Sequence, residues 1–200
     1  MRRTFSTILI VVGILLILGA AGLLLFNRQE ADEAASVSAK VLPQISEHME
    51  AVRETATLPP PETDPLAPPP TMPAVEIEEK TYVGVLSIPA IGYEVPVQWE
   101  CSLELLRLGA CRFHGSTYSS DLVLCAHNYY GLYRSLTRLH PGDLVYFTDM
   151  DGLTWSYEVA DLETLGSTMV SEMIHSDYDL TFFTCTYGGQ ARLTLRCVRN

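Results

Sequence analysis

The segment 179–198, DLTFFTCTYGGQARLTLRCV, contains two β-rich runs that meet at Gly188-Gly189. β-Branched and aromatic residues on both sides of a Gly-Gly pair are typical of a β-hairpin. Five similar runs precede it between residues 82 and 163: YVGVLSI, YEVPVQ, DLVLCAH, DLVYFTD and LTWSYEVADLE. The helical candidates between the runs are short and cover 102–108, 133–139 and 168–174. The sequence from residue 82 onward is therefore predicted to be mainly β, folded as a small barrel or sandwich.

The composition excludes several classes of protein. The chain has 200 residues with 13 basic and 24 acidic side chains, a formal charge of −11. Nucleic-acid binding needs clustered Lys and Arg to neutralise phosphates, so we do not expect a nucleic-acid partner. Five cysteines are too few for a disulfide scaffold, and an odd number leaves one unpaired within the chain.

Residues 5–26, FSTILIVVGILLILGAAGLLLF, contain no charged side chain. As a helix this stretch is about 33 Å long, enough to cross a hydrocarbon core of about 30 Å. A secretory signal peptide is the alternative, but its apolar stretch usually has only about 7–15 residues. Arg2 and Arg3 precede the span, whereas acidic residues soon follow Arg28. The positive-inside rule then predicts a cytoplasmic tip and signal anchor at 1–27, with the rest of the chain on the extracellular face of the cell membrane, a single-pass type II topology.

The segment 28–80 is predicted to be an extracellular stalk in two parts. It contains 11 acidic and 4 basic residues. Apolar residues at spacings of three and four in its first half indicate a solvated helix: Val37, Val41, Ile45, Met49 and Val52. The second half has eight prolines within 59–73, which favours an extended polyproline spacer. The remaining segment, 81–200, is then the folded domain.

Three side chains lie at predicted strand ends beside turns. Cys185 ends the run LTFFTC, and Arg192 lies seven residues later, across the Gly-Gly turn. His127 ends the run DLVLCAH. A thiolate is a nucleophile that a neighbouring cation favours, and an imidazolium can give a proton to a leaving amine. A guanidinium supplies fixed positive charge where a carbonyl oxygen becomes anionic. Together these residues indicate acyl transfer at an amide.

The chain resembles the sortases, the cysteine transpeptidases that attach proteins to the cell wall of Gram-positive bacteria or build pili. The resemblance depends on VLCAHN with His127, on TFFTC with Cys185, and on Arg192 in the following strand, in that order along the chain. TFFTC is similar to the family's T-L-x-T-C signature, with Phe182 where Leu is usual, and Ala126 stands where Gly commonly precedes the histidine. The subclass stays open: Asp64-Pro65-Leu66 only partly matches the Asp-Pro-aromatic lid of pilin-polymerising members.

The resemblance implies a closed eight-stranded β-barrel with short helices. It implies that Cys185 attacks the Thr–Gly bond of an LPXTG-like sorting signal to form a thioester. His127 would protonate the departing amine, and Arg192 would hold the oxyanion or the signal's backbone. Thr184, next to the nucleophile, is a further candidate for substrate binding. An amine from a peptidoglycan precursor or a pilin lysine would then resolve the thioester, with no organic cofactor required.

No metal site is predicted, because the sequence has no dense carboxylate cluster and no Cys-x-x-Cys or His-x-x-x-His spacing. The four other cysteines allow three pairings, of which Cys125 with Cys197 is conceivable, or all four are small buried residues. Two further interpretations compete with the transpeptidase. One is a non-catalytic, membrane-tethered β-domain that binds an extracellular ligand or partner. The other is a different cysteine hydrolase, although those usually place Cys before His in the chain.

Overall fold

The computed structural model describes residues 2–55 and 71–200. The helices are α1 (Arg2–Thr55), α2 (Leu103–Leu106), α3 (Leu132–Leu136) and α4 (Val170–Ile174), with short 3₁₀ turns at Pro89–Ile91 and Tyr129–Gly131. The strands are β1 (Val75–Ile77), β2 (Lys80–Ile88), β3 (Tyr93–Gln98), β4 (Ala110–His114), β5 (Leu122–Ala126), β6 (Leu144–Asp149), β7 (Thr154–Gly166), β8 (Leu180–Cys185) and β9 (Ala191–Arg199). All seven predicted β-runs and all three short helical candidates are present.

Eight of the described strands close into a barrel. Their order is β2-β3-β4-β5-β8-β9-β7-β6, and β6 pairs back onto β2. Strand β1 lies outside this ring and pairs only with the start of β2. The predicted eight-stranded barrel with short helices is therefore confirmed. Pro96 lies in the part of β3 that pairs with β2 before the pairing with β4 begins, which is an edge position as expected.

The strands alternate between the barrel interior and its outer face. In β8, Leu180 and Phe182 belong to the main core, and in β9 Leu193, Leu195 and Cys197 do so. The intervening residues point outward because successive side chains of a strand lie on opposite faces. A second apolar cluster therefore forms on the outside of the barrel. It consists of Cys111, Val123, Cys125, Leu165, Met173 and Phe183.

Helix α1 runs without interruption from the apolar stretch into the predicted stalk. The apolar side chains of residues 8–26 are largely exposed, as a lipid-facing helix requires, and this helix is long and apolar enough to cross a membrane. The expectation of a solvated helix beyond it is wrong. Val41 and Ile45 are buried with Ile77, Tyr82 and Met150, because the apolar residues form one face that packs on the barrel.

Residues 56–70 are outside the described residues, and with them most of the predicted polyproline spacer and Asp64-Pro65-Leu66.

The two strands that the sequence did not predict are β1 and β4. β1 (VEI) has only three residues, too few for an alternating pattern to be recognised, and β4 (ACRFH) mixes small, charged and aromatic residues without a clear period of two.

Candidate active site

Cys185 is the last residue of β8, at the rim of the barrel. Its side chain is partly exposed, whereas the five preceding residues of the strand are buried. Alternation places Cys185 on the outer face of the barrel, next to Phe183 of the second apolar cluster. A thiol in this position is open to a substrate on the outside of the barrel while its backbone is held in the β8 ladder.

Arg192 lies directly opposite Cys185 in the β8–β9 pairing. Arg192 Nη1 donates to the carbonyl oxygens of Gly189, at 3.0 Å, and Ala191, at 3.1 Å. These bonds hold the guanidinium beside the Gly-Gly turn, where Gly188 and Gly189 have positive φ angles of 83° and 72°. The turn therefore places the Arg192 cation next to the strand that carries Cys185.

His127 follows the end of β5, the other neighbour of β8. The parallel pairing of these strands reaches Ala126 opposite Thr184, so His127 is the next residue along β5, just as Cys185 is along β8. Alternation puts His127 on the outer face with Cys125, because Ala126 belongs to the core. The three predicted catalytic residues thus come from three neighbouring strands at one end of the barrel.

The His127 ring packs edge-on against Tyr129, with 4.3 Å between ring centroids. Burial lowers the pKa of His127 below its ordinary value, and the positive charge of Arg107 lowers it further. The carboxylate of Glu30 in α1 acts in the opposite direction. Arg107 and Glu30 were not singled out from the sequence, since only the tertiary structure brings α1 and the segment after α2 to this histidine. Tyr129 is a sequence neighbour of His127, but no pattern in the sequence indicates the ring contact.

Thr184 occupies a different place from that expected for a substrate contact. Its side chain is buried, and its hydroxyl donates to the carbonyl oxygen of Ala126 at 2.9 Å. The hydroxyl therefore ties β8 to the end of β5 one residue before both His127 and Cys185. The Thr184 hydroxyl thus lies inside the barrel, between the strand ends that carry Cys185 and His127.

A cavity of about 480 Å³ lies between α1 and the barrel, beside His127. Its helix wall is made of small side chains, including Ala34, Ala35 and Ala39. A second cavity of about 520 Å³ joins His127 and Tyr129 to the first turns of α1 after the apolar stretch, at Asn27, Arg28, Ala31 and Asp32. The histidine end of the site therefore faces the anchor helix.

The connection between β7 and β8 is held on the outer face by Arg196. This side chain is buried, although the sequence allowed a solvent-facing arginine here. It pairs with Glu163 at 2.7 Å, and donates to Thr181 Oγ1 at 2.9 Å and to the carbonyl oxygen of Glu172 at 2.6 Å. Of the two outward arginines of β9, Arg192 alone is left beside Cys185.

The conceivable Cys125–Cys197 disulfide does not fit the structure. Cys197 lies in the main core inside the barrel, whereas Cys125 lies in the second cluster outside it. The β5 and β9 strands are also separated by β8.

The sequence matches a known protein family. Residues 86–200 match the family model of the sortase domain. No curated protein matches the chain.

Three solved structures illustrate the similarity. Sortase C1 from Streptococcus suis is 26% identical with a TM-score of 0.50, over 60% of this chain and 73% of that one. A sortase D5 transpeptidase from Clostridium perfringens is 16% identical with a TM-score of 0.59, over 82% and 99%. A C. perfringens sortase C with its C-terminal cell wall sorting motif is 20% identical with a TM-score of 0.51, over 86% and 90%.

Proposed function

Since this chain belongs to the sortase family, we propose that it is a membrane-anchored cysteine transpeptidase that cleaves an LPXTG-like sorting signal. The observation that carries the proposal is the placement of Cys185 directly opposite Arg192, with His127 at the end of the other neighbouring strand. Nucleophile, proton donor and cation then share one face and one end of the barrel.

In the first step, the Cys185 thiolate attacks the threonine carbonyl of the signal. The oxygen becomes anionic, and Arg192 stabilises it or holds the signal's backbone. The C–N bond to glycine then breaks, His127 in its imidazolium form gives its proton to the leaving amine, and a thioester remains on Cys185. Thr184 contributes by holding the two strand ends in register.

In the second step, an amine attacks the thioester carbonyl. Neutral His127 takes the amine's proton, the new amide forms, and the Cys185 thiolate leaves. A peptidoglycan precursor or a pilin lysine supplies such an amine. One similar solved structure is of a sortase C with the C-terminal cell wall sorting motif, which supports a signal peptide as the first substrate.

The position of helix α1 supports a reaction that takes place close to the membrane surface. The cavity at His127 is lined by Asn27 and Arg28, which directly follow the apolar stretch. A site within one or two turns of the end of the span reaches substrates that are themselves held in the membrane. We propose the segment 1–27 as tip and anchor, 28–80 as a stalk whose helical part packs on the barrel, and 81–200 as the catalytic domain on the extracellular face.

The test uses the full chain in detergent micelles with a labelled LPXTG-type peptide, with and without an added amine. We expect cleavage that is faster with the amine, and a peptide thioester on Cys185 by mass spectrometry. Cys185→Ala should abolish both, and Arg192→Ala should lower kcat about 10²–10³-fold through loss of charge stabilisation.

Cys101→Ala, assayed under reducing conditions, is the matched control, since it removes an exposed thiol outside the proposed machinery. Unchanged cleavage by Cys185→Ala would overturn the mechanism. Peptide binding by the wild type without any cleavage or thioester would favour the non-catalytic β-domain.

A further inference from the structure

Three cysteines gather on the outer face of the barrel, apart from Cys185. We call Cys101, Cys111 and Cys125 the thiol cluster. Cys111 and Cys125 lie directly opposite each other in β4 and β5, and both are buried in the second apolar cluster. Cys101 comes from the connection between β3 and α2, and its sulfur lies 3.1 Å from that of Cys125.

The cysteines of the cluster differ in exposure and in acidity. Cys101 is exposed to solvent, while Cys111 and Cys125 are buried. Hydrogen bonds from Cys111 and then Cys125 lower the pKa of Cys101 below its ordinary value. Cys101 is therefore the thiol of the cluster that solvent reaches and that ionises most readily, and thiolates are the species that react with disulfides.

From the sulfur contact and this exposure pattern, we propose that Cys101 and Cys125 form a disulfide that fastens the β3–α2 connection to β5. The bond goes beyond the proposed transpeptidase activity, and its formation in the cell rests on the proposed extracellular location, where disulfides persist. Closing the sulfur contact to a bond of about 2.05 Å needs a movement of about 1 Å, which a connecting segment can supply.

The oxidant is a disulfide of the thiol-exchange class, such as oxidised glutathione. The Cys101 thiolate attacks one sulfur of this disulfide, forms a mixed disulfide and releases one thiolate. The Cys125 sulfur then attacks the Cys101 sulfur of the mixed disulfide, and the second thiolate leaves and takes up the Cys125 proton. Two protein thiols become one disulfide, and one disulfide becomes two thiols.

The bond would stiffen one wall of the proposed active site. The connection that it fastens leads directly into α2, and Leu106 and Gly109, at the end of α2 and just after it, line the cavity beside His127. At the other end, Cys125 lies two residues before His127 on the same face of β5. Other contacts of this region are the hydrogen bond from Gln98 to the Leu105 carbonyl oxygen, at 2.9 Å, and the packing of Leu105 and Leu106.

The experiment compares the reduced full chain in detergent micelles with the same protein equilibrated with oxidised glutathione. Free thiols are blocked, and the peptides are mapped by mass spectrometry. We expect one bond joining the Cys101 and Cys125 peptides, with Cys111, Cys185 and Cys197 blocked as free thiols. Oxidation should raise Tm by about 5 °C or more, because the bond restricts the unfolded chain.

Cys111→Ala is the matched control and should retain both the bond and the Tm rise, whereas Cys101→Ala should lose both. A bond from Cys101 to Cys111, or no bond after equilibration, would overturn the proposal. The readout is a covalent mass that does not depend on cleavage of any signal peptide, so failure of the proposed function leaves this test intact.

Discussion

The single residue with the most informative surroundings is His127. Burial lowers the pKa of His127, which disfavours the imidazolium form of the ring. The proposed proton donation needs the imidazolium, and this contribution to the rate should therefore fall as pH rises through the lowered pKa. The two charges that act on His127, from Glu30 and Arg107, lie 3.9 Å apart across α1 and the segment after α2.

These charges predict two opposite shifts of the His127 pKa. Glu30→Gln removes a negative charge that raises this pKa, so the pKa should fall further. Arg107→Gln removes a positive charge that lowers it, so the pKa should rise. NMR titration of the His127 ring in the full chain in detergent micelles measures both.

Glu76→Gln is the control, because this β1 carboxylate is not among the charges that act on His127. Shifts of the same sign in Glu30→Gln and Arg107→Gln would contradict the placement of the helix beside the site.

Arg196 shows what a sequence pattern leaves open at the residue scale. Alternation places Arg192 and Arg196 on the same outward face of β9, which is correct. It does not show that the β7–β8 connection folds over Arg196 and buries it among acceptors. One arginine therefore holds a connection in place, while the other stands beside Cys185.

At the scale of elements, helix α1 changes its surroundings along its length. Its first part exposes apolar side chains on all sides, and its second part buries one face against β1 and β2. Lys40 also pairs with Glu78, at 2.6 Å, beside this contact. The periodicity of Val41 and Ile45 predicts the helix correctly, but a period alone does not identify what the apolar face packs against.

We predict that Ile45→Asp releases this part of α1 from the barrel. A charged side chain cannot be buried unpaired in the cluster with Tyr82 and Met150 without a cost of several kcal/mol. Hydrogen–deuterium exchange should show faster exchange at 31–49 and around Ile77, with the barrel strands still protected.

Ser46→Asp introduces the same charge on the exposed face of α1 and should leave this exchange unchanged. Equal exchange in wild type and Ile45→Asp would mean that the helix does not pack on the barrel in solution.

At the scale of the whole molecule, the proposed type II topology depends on the charges around the apolar stretch. Arg2 and Arg3 precede it and acidic residues follow it, which favours a cytoplasmic N-terminus. In intact cells under reducing conditions, a membrane-impermeant maleimide should label the exposed thiol of Cys101. A cysteine introduced as Thr4→Cys should react only after detergent is added.

Labelling of the Thr4→Cys site in intact cells, with Cys101 protected, would reverse the topology. Replacement of both Arg2 and Arg3 by Glu tests whether these charges set the orientation. This change should shift part of the population to the opposite orientation.

The sequence by itself determined the features that depend on neighbouring residues: the apolar span, seven of the nine strands, and the hairpin that pairs Cys185 with Arg192. Hydrophobic period and turn chemistry are local, so they are readable along the chain. Only the tertiary structure decided which strands are neighbours and what lies over them. The burial of Thr184 and Arg196, the thiol cluster and the packing of α1 beside His127 all join residues far apart in sequence, and such contacts are set by the closure of the barrel rather than by any local pattern.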